Sequence, residues 1–162
     1  MAAWDRARGD VASTAMHRAL TPGAAFRFVL VAPAAAAPAL DTAHASHAAR
    51  YAVVVEDGAP DGSEGVVLIN AFEVPTAGDE RFLAEWGRAR DLLARRPGYL
   101  GTRLHRSDEP GADLRFVNVA RWSSPLAFAR ATREKAFAPV AAAMPFPSHP
   151  ALYERVRRAP PE

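Results

Sequence analysis

Residues 105–122 read HRSDEPGADLRFVNVARW, and this stretch decides the fold. Two runs of strand-forming residues flank Asp108-Glu109-Pro110-Gly111, a turn sequence with proline and glycine where a tight reversal wants them. The reading is a β-hairpin, with strands over 99–106 and 114–122. Upstream, residues 79–96 place Phe82, Trp86, Ala89 and Leu93 at helical spacing, open with acids and end with arginines before Pro97-Gly98. Before that helix, residues 66–74 (VVLINAFEV) are dense in strand formers and stop at Pro75. Downstream, Ser124-Pro125 is an N-cap and first-turn pair for a helix through Leu126, Phe128 and Ala131, and Pro139 limits the turn that follows. Residues 152–157 supply the last strand.

The order is βαββαβ, an α+β unit of ferredoxin-like type over 65–158, with both helices on one sheet face and a first and third strand able to run parallel. A second unit shows itself when residues 17–32 (HRALTPGAAFRFVLVA) are laid on 105–120 (HRSDEPGADLRFVNVA). Ten of the sixteen positions are identical, where composition alone gives roughly one or two. The match extends to Trp4 against Trp86, and to Ser46, His47 and Tyr51 against Ser148, His149 and Tyr153. Residues 1–56 therefore read as a truncated copy that lacks its first strand, and 57–64 (DGAPDGSE) as a linker. Three readings account for the lost strand: the strand at residues 51–56 docks elsewhere, two chains dimerise through their complete domains, or an earlier in-frame start supplies it.

Composition narrows the function. The formal charge of +2 is spread over interspersed arginines and acids, which argues against a nucleic-acid surface. No cysteine is present, so disulfides, thiolate nucleophiles and zinc–cysteine clusters are excluded, and a cytoplasmic protein is expected. The apolar run 24–40 carries Arg27 and is broken by Pro33 and Pro38, which fits neither a signal peptide nor a membrane span. No metal, serine-hydrolase or nucleotide motif occurs.

The candidate chemistry lies on the strands. Alternation puts Phe116, Asn118, Ala120 and Trp122 on one face, and Leu68, Asn70 and Phe72 on one face of the first strand. Asn70 and Asn118 are the two asparagines of the chain. A buried amide must find partners, and a ligand carbonyl or phenol would serve, as would a backbone group or a bulge. Trp122 would wall a pocket or fill the core. His149, in the proline-rich segment 144–150, is a candidate base near a pocket mouth or a loop histidine bonded to backbone, and His105 is expected at solvent or a subunit contact.

The combination of residues 115–122 (RFVNVARW), Ser123-Ser124, Ala127-Phe128, 146–150 (FPSHP) and Leu152-Tyr153-Glu154 resembles the antibiotic biosynthesis monooxygenase (ABM) domain family over essentially all of 65–158. The resemblance implies a ferredoxin-like fold of the dimeric α+β barrel type, assembled as a homodimer or as an intrachain pseudo-dimer of tandem copies. It further implies a monooxygenase without cofactor, oxidising a small aromatic or polyketide-like molecule with molecular oxygen. Asn118 and Trp122 match family cavity positions, with His149 as base and Asn70, Phe72, Phe116 and Phe128 lining the substrate. A tyrosine that the polyketide oxygenases carry after the tryptophan is Phe128 here, which leaves a non-catalytic binding or assembly domain as the alternative. Haem-degrading relatives also carry an asparagine like Asn70, but their iron-ligating histidine aligns with Ala141, so haem degradation is not expected.

Overall fold

The computed structural model describes residues 14–35 and 45–156. Seven strands form one sheet: β1 (Ala15–Ala19), β2 (Phe28–Val31), β3 (Tyr51–Gly58), β4 (Val66–Phe72), β5 (Tyr99–Ser107), β6 (Phe116–Trp122) and β7 (Ser148–Arg155). Their order is β2-β1-β7-β4-β6-β5-β3. Helix α1 (Asp79–Leu93) links β4 to β5, while α2 (Pro125–Arg133) and α3 (Phe137–Ala143) link β6 to β7. The central four strands, β7-β4-β6-β5, with these crossovers form the ferredoxin-like α+β arrangement.

Every ladder is antiparallel, including β4 with β6. The expectation of a parallel-capable first and third strand therefore fails. The crossover through α1 makes β4 and β5 run the same way, and the hairpin then sends β6 back between them, opposed to both. The last strand also begins earlier than its sequence suggests. Pro150 sits inside β7 opposite Asn70 with its nitrogen turned away from β4 and beyond the paired length of β1, so its missing N–H removes no ladder bond and the strand continues.

Each helix is shaped by its own sequence. Asp79 and Glu80 occupy the first turn of α1 and Arg90 its last, matching the helix dipole. Ser124 caps α2 by accepting from the Ala127 N–H at 3.1 Å, with Pro125 in the first turn. The start of α1 is clipped to the hairpin by Arg115, whose guanidinium meets the two Asp79 carboxylate oxygens at 3.1 and 2.8 Å and is only 8% exposed.

The helices cover one face of the sheet. Phe72, Val74, Leu104 and Phe116 pack with Phe82 and Trp86 of α1. Val66, Leu68, Ala120 and Trp122 pack with Ala131, Ala127 and Phe128 of α2 and with Leu93. On the reverse face Val67, Ile69, Ala151 and Tyr153 are covered by Ala19, Ala24 and Val29 from the first third of the chain.

The flanking strands attach in matched ways. At one edge of the central four, Ala19 stands opposite Tyr153 and His17 opposite Arg155. At the other edge, Ser107 stands opposite Tyr51 and His105 opposite Val53. Tyr153 donates its hydroxyl to the Phe26 carbonyl at 2.8 Å, and Tyr51 donates to the Leu114 carbonyl at 2.9 Å. The sheet curls far enough for Phe26, beside β2, to reach His47, beside β3, with ring centroids 6.5 Å apart.

Residues 57–64 are held more firmly than a linker need be. Asp57 and Gly58 complete β3, and Arg121, 8% exposed on the reverse face, donates to the carbonyls of Ala59, Asp61 and Glu64. Among the described residues no helix is long and apolar enough to cross a membrane.

Candidate active site between sheet and helices

The helix-facing layer gathers six of the seven candidate residues. Asn70 and Asn118 are direct partners across β4 and β6, Phe72 faces Phe116 in the same ladder, and Trp122 lies at its far end opposite Val66. Phe128 reaches Trp122 from α2, ring edge to ring face, at 5.5 Å and 74°. Phe72 and Phe116 both pack on Phe82, at 4.8 and 4.2 Å between centroids. They form the closed apolar end of the layer.

The polar atoms in this layer are unevenly satisfied. Asn118 Oδ1 accepts from the Thr102 hydroxyl at 2.6 Å, so its amide is fixed from the neighbouring strand. Asn70 Oδ1 and Trp122 Nε1 are buried with no hydrogen-bond partner among the described residues. An acceptor without a donor and a donor without an acceptor each cost about 1–3 kcal/mol when buried. Asn118 and Trp122 stand four positions apart along β6, roughly 13 Å between their Cα atoms at the rise of a strand.

His149 is the candidate that the structure sets apart. It lies in β7, not in a loop, opposite Ala71, with the side-chain parity of Ala151 and Tyr153 that belongs to the reverse face. Its Nε2 is 2.9 Å from Glu73 Oε1 and its ring meets Phe26 at 6.4 Å. The sheet itself separates it from Asn118 and Trp122. His105 lies on the strand that pairs with β3, opposite Val53. It is half-buried, with Nδ1 3.1 Å from the Val117 carbonyl, instead of facing solvent.

Three residues that no sequence pattern singles out complete the layer's polar edge: Thr102, Tyr99 and Asp57. Tyr99 meets Trp122 edge-on at 5.4 Å and 82°, and its hydroxyl donates to Asp57 Oδ1 at 2.5 Å. Burial, and then the bond to Asp57, push the Tyr99 hydroxyl far above its ordinary value of 10.0, so it stays protonated. An open concavity of about 480 Å³ lies elsewhere, lined by Glu73, Val74, Pro75, Gly111, Ala112 and Asp113. Among the described residues no group of three or more histidines and carboxylates is placed to hold a metal ion.

A ferredoxin-like sheet with an asparagine, tryptophan and phenylalanine layer under its helices defines a class, and comparison with known proteins gives the family. The family model for antibiotic biosynthesis monooxygenase matches residues 65–143. A monooxygenase candidate from Shewanella loihica is 38% identical over 57% of this chain and 95% of its own, with a TM-score of 0.50. A single-residue mutant of SnoaB, a cofactor-independent oxygenase from Streptomyces nogalater, is 32% identical over 60% of this chain and 97% of its own, also with a TM-score of 0.50. A monooxygenase-like protein from Listeria innocua shares the fold over 96% of this chain and 85% of its own, at 14% identity and a TM-score of 0.61. No curated protein sequence matches the chain. The chain belongs to the antibiotic biosynthesis monooxygenase family.

Proposed function

We propose that the protein is a cofactor-independent monooxygenase that oxidises a hydroxylated, polyketide-like aromatic with molecular oxygen in the layer between sheet and helices. The observation that carries this reading is the pair of buried, unpartnered groups, Asn70 Oδ1 and Trp122 Nε1, on one apolar face. A flat apolar ligand with a hydroxyl donor at the Asn70 end and an oxygen, carbonyl or hydroxyl, that accepts from the indole at the Trp122 end satisfies both. The similarity to a cofactor-independent oxygenase points the same way.

The chemistry asks little of the protein. Deprotonation gives a delocalised anion that can pass an electron to oxygen. Overall, a ring CH2 and one O2 become a carbonyl and one water, with all four electrons supplied by the substrate. The protein must exclude water, hold the developing oxyanion with a donor such as the indole N–H, and accept a proton. The non-catalytic alternative draws on Phe128, which has no hydroxyl beside Trp122.

We also infer that the chain is an intrachain pseudo-dimer of two copies, residues 1–56 and 65–158. The matched registers at both edges of the central four strands and the two tyrosine-to-carbonyl bonds support this arrangement.

Oxygen uptake with a hydroxyanthrone, which carries both the ring CH2 and a phenolic hydroxyl, tests the activity. Wild type is expected to consume oxygen, Trp122→Phe and Asn70→Ala to lose at least tenfold in kcat/KM, and His149→Ala to stay near wild type. No uptake by wild type, or uptake indifferent to Trp122 and Asn70, overturns the reading.

A further inference from the structure

The aromatic layer needs a proton acceptor, and His149 lies across the sheet from it. The carboxylate tied to this layer comes from the first half of the chain. Asp57 is the next-to-last residue of β3, paired through its backbone with Thr102 of β5. Its Oδ1 accepts the Tyr99 hydroxyl at 2.5 Å, and its Oδ2 accepts from Arg90 Nη1 of α1 at 2.8 Å. The approach depends on a facing glycine pair. Gly58 has φ +63°, and a Cβ there would lie 2.8 Å from the Gly101 Cα. At Gly101 a Cβ would lie 2.6 Å from the Ala59 nitrogen. Larger residues would push β3 and its carboxylate away from Tyr99.

The polarity of the pair follows from its chemistry. A carboxylate only accepts, so the Tyr99 proton is committed to Asp57 and the remaining lone pairs of Tyr99 Oη can only accept. Such an oxygen selects a donor. We propose that Asp57 makes Tyr99 the acceptor for a substrate hydroxyl at the Trp122 end of the layer, and that the Tyr99–Asp57 pair takes up that hydroxyl's proton. The transfer is a relay: the substrate O–H breaks as its proton passes to Tyr99, while the Tyr99 O–H breaks as its proton passes to Asp57. The negative charge moves from the Asp57 carboxylate to the substrate oxygen, and no oxidant or reductant enters the step. Tyr99 is then the catalytic residue, and Asp57 a positioning residue acting through it. This inference rests on the aromatic-site reading above and adds the group that receives the substrate hydroxyl and its proton, together with a contribution to the site from the chain's first half.

The test uses binding before turnover. A hydroxyanthraquinone and its methyl ether, neither of which can be oxidised by this reaction, are titrated against wild type, Tyr99→Phe and Asp57→Asn. Wild type is expected to favour the hydroxy compound by about tenfold, equivalent to about 1.4 kcal/mol. In Tyr99→Phe the preference falls to near unity. In Asp57→Asn the Arg90 guanidinium claims the amide oxygen and turns the NH2 toward Tyr99, so the tyrosine becomes a donor and the preference shifts toward the ether. Asp57→Asn keeps the side chain's size, so it carries the test alone if Tyr99→Phe fails to fold. Ratios unchanged in both variants overturn the inference, even where wild type consumes oxygen with the hydroxyanthrone. Altered ratios without oxygen uptake sustain the inference and sink the oxygenase reading. A wild-type protein that binds neither compound removes both.

Discussion

Thr102 is 1% exposed and supplies the donor to Asn118 Oδ1. Its hydroxyl has one proton, and the 2.6 Å bond to the amide takes it in preference to the Val119 carbonyl at 3.3 Å. Thr102→Val keeps the shape and removes the donor, leaving a buried amide oxygen unpaired. The unfolding free energy is expected to fall by about 1–2 kcal/mol. Thr102→Ser should restore most of it, and Thr102→Val in an Asn118→Leu background should cost much less than in wild type, because the acceptor is gone. Urea denaturation of wild type, the three single variants and the double variant checks this, and additive losses would show that the bond contributes nothing. Trp122 and Phe128 differ in kind from Thr102. Their edge-to-face contact persists without any ligand, and of the two only the indole N–H asks for one.

The elements most legible in the sequence were those whose punctuation is local. The turn at residues 108–111, the Ser124-Pro125 cap and the helical spacing of Phe82 and Trp86 each act within a few residues, and β5, β6, α1 and α2 fall where those signals put them. The last strand begins four residues before its sequence signal at 152, because proline reads as a strand breaker while Pro150 is tolerated within β7. That shift carried His149 from a loop to the reverse face. The contact of Asp57 with Tyr99 was not legible at all, since 42 residues separate the two and only the pairing of β3 with β5 joins them. Gly65, at the start of β4, shows the same non-local logic. It has φ +78°, and a Cβ there would strike the Trp122 carbonyl oxygen, whereas Gly111, at φ +76°, has nothing within 4 Å. Both Gly→Ala changes bear the strain of a left-handed backbone, about 1 kcal/mol. Gly65→Ala is expected to cost about 1–2 kcal/mol more and to weaken anthraquinone binding at Trp122, while Gly111→Ala leaves binding unchanged. Equal losses of stability in the two variants would remove the clash as a cause.

Across the whole molecule, the two flanking attachments each cover one histidine, His17 fully and His105 in part. His17 of β1 lies opposite Arg155, and His105 of β5 lies opposite Val53. Desolvation is the largest influence on both and pushes each imidazole below its ordinary value of 6.5. The carbonyls of Val29 and Val117 oppose that shift, and Arg155 and Arg103 reinforce it. Both side chains are therefore folded in neutral form. As the pH falls through 6.5 the unfolded chain takes up two protons that the folded chain still refuses, so stability falls with pH in that window. Above the window both states hold neutral imidazoles and the contribution is flat; below the depressed folded values no further loss accrues. Guanidinium denaturation between about pH 8 and about pH 5 should give midpoints that are level at the top and decline below 6.5. His17→Gln and His105→Gln should each flatten part of the decline, and the double variant most of it. If the double variant declines as steeply as wild type, carboxylates elsewhere are responsible and the two attachments do not share a pH-sensitive seam. If each single variant removes a comparable part, the two edges of the central sheet are energetically alike as well as alike in register, as a pseudo-dimer requires.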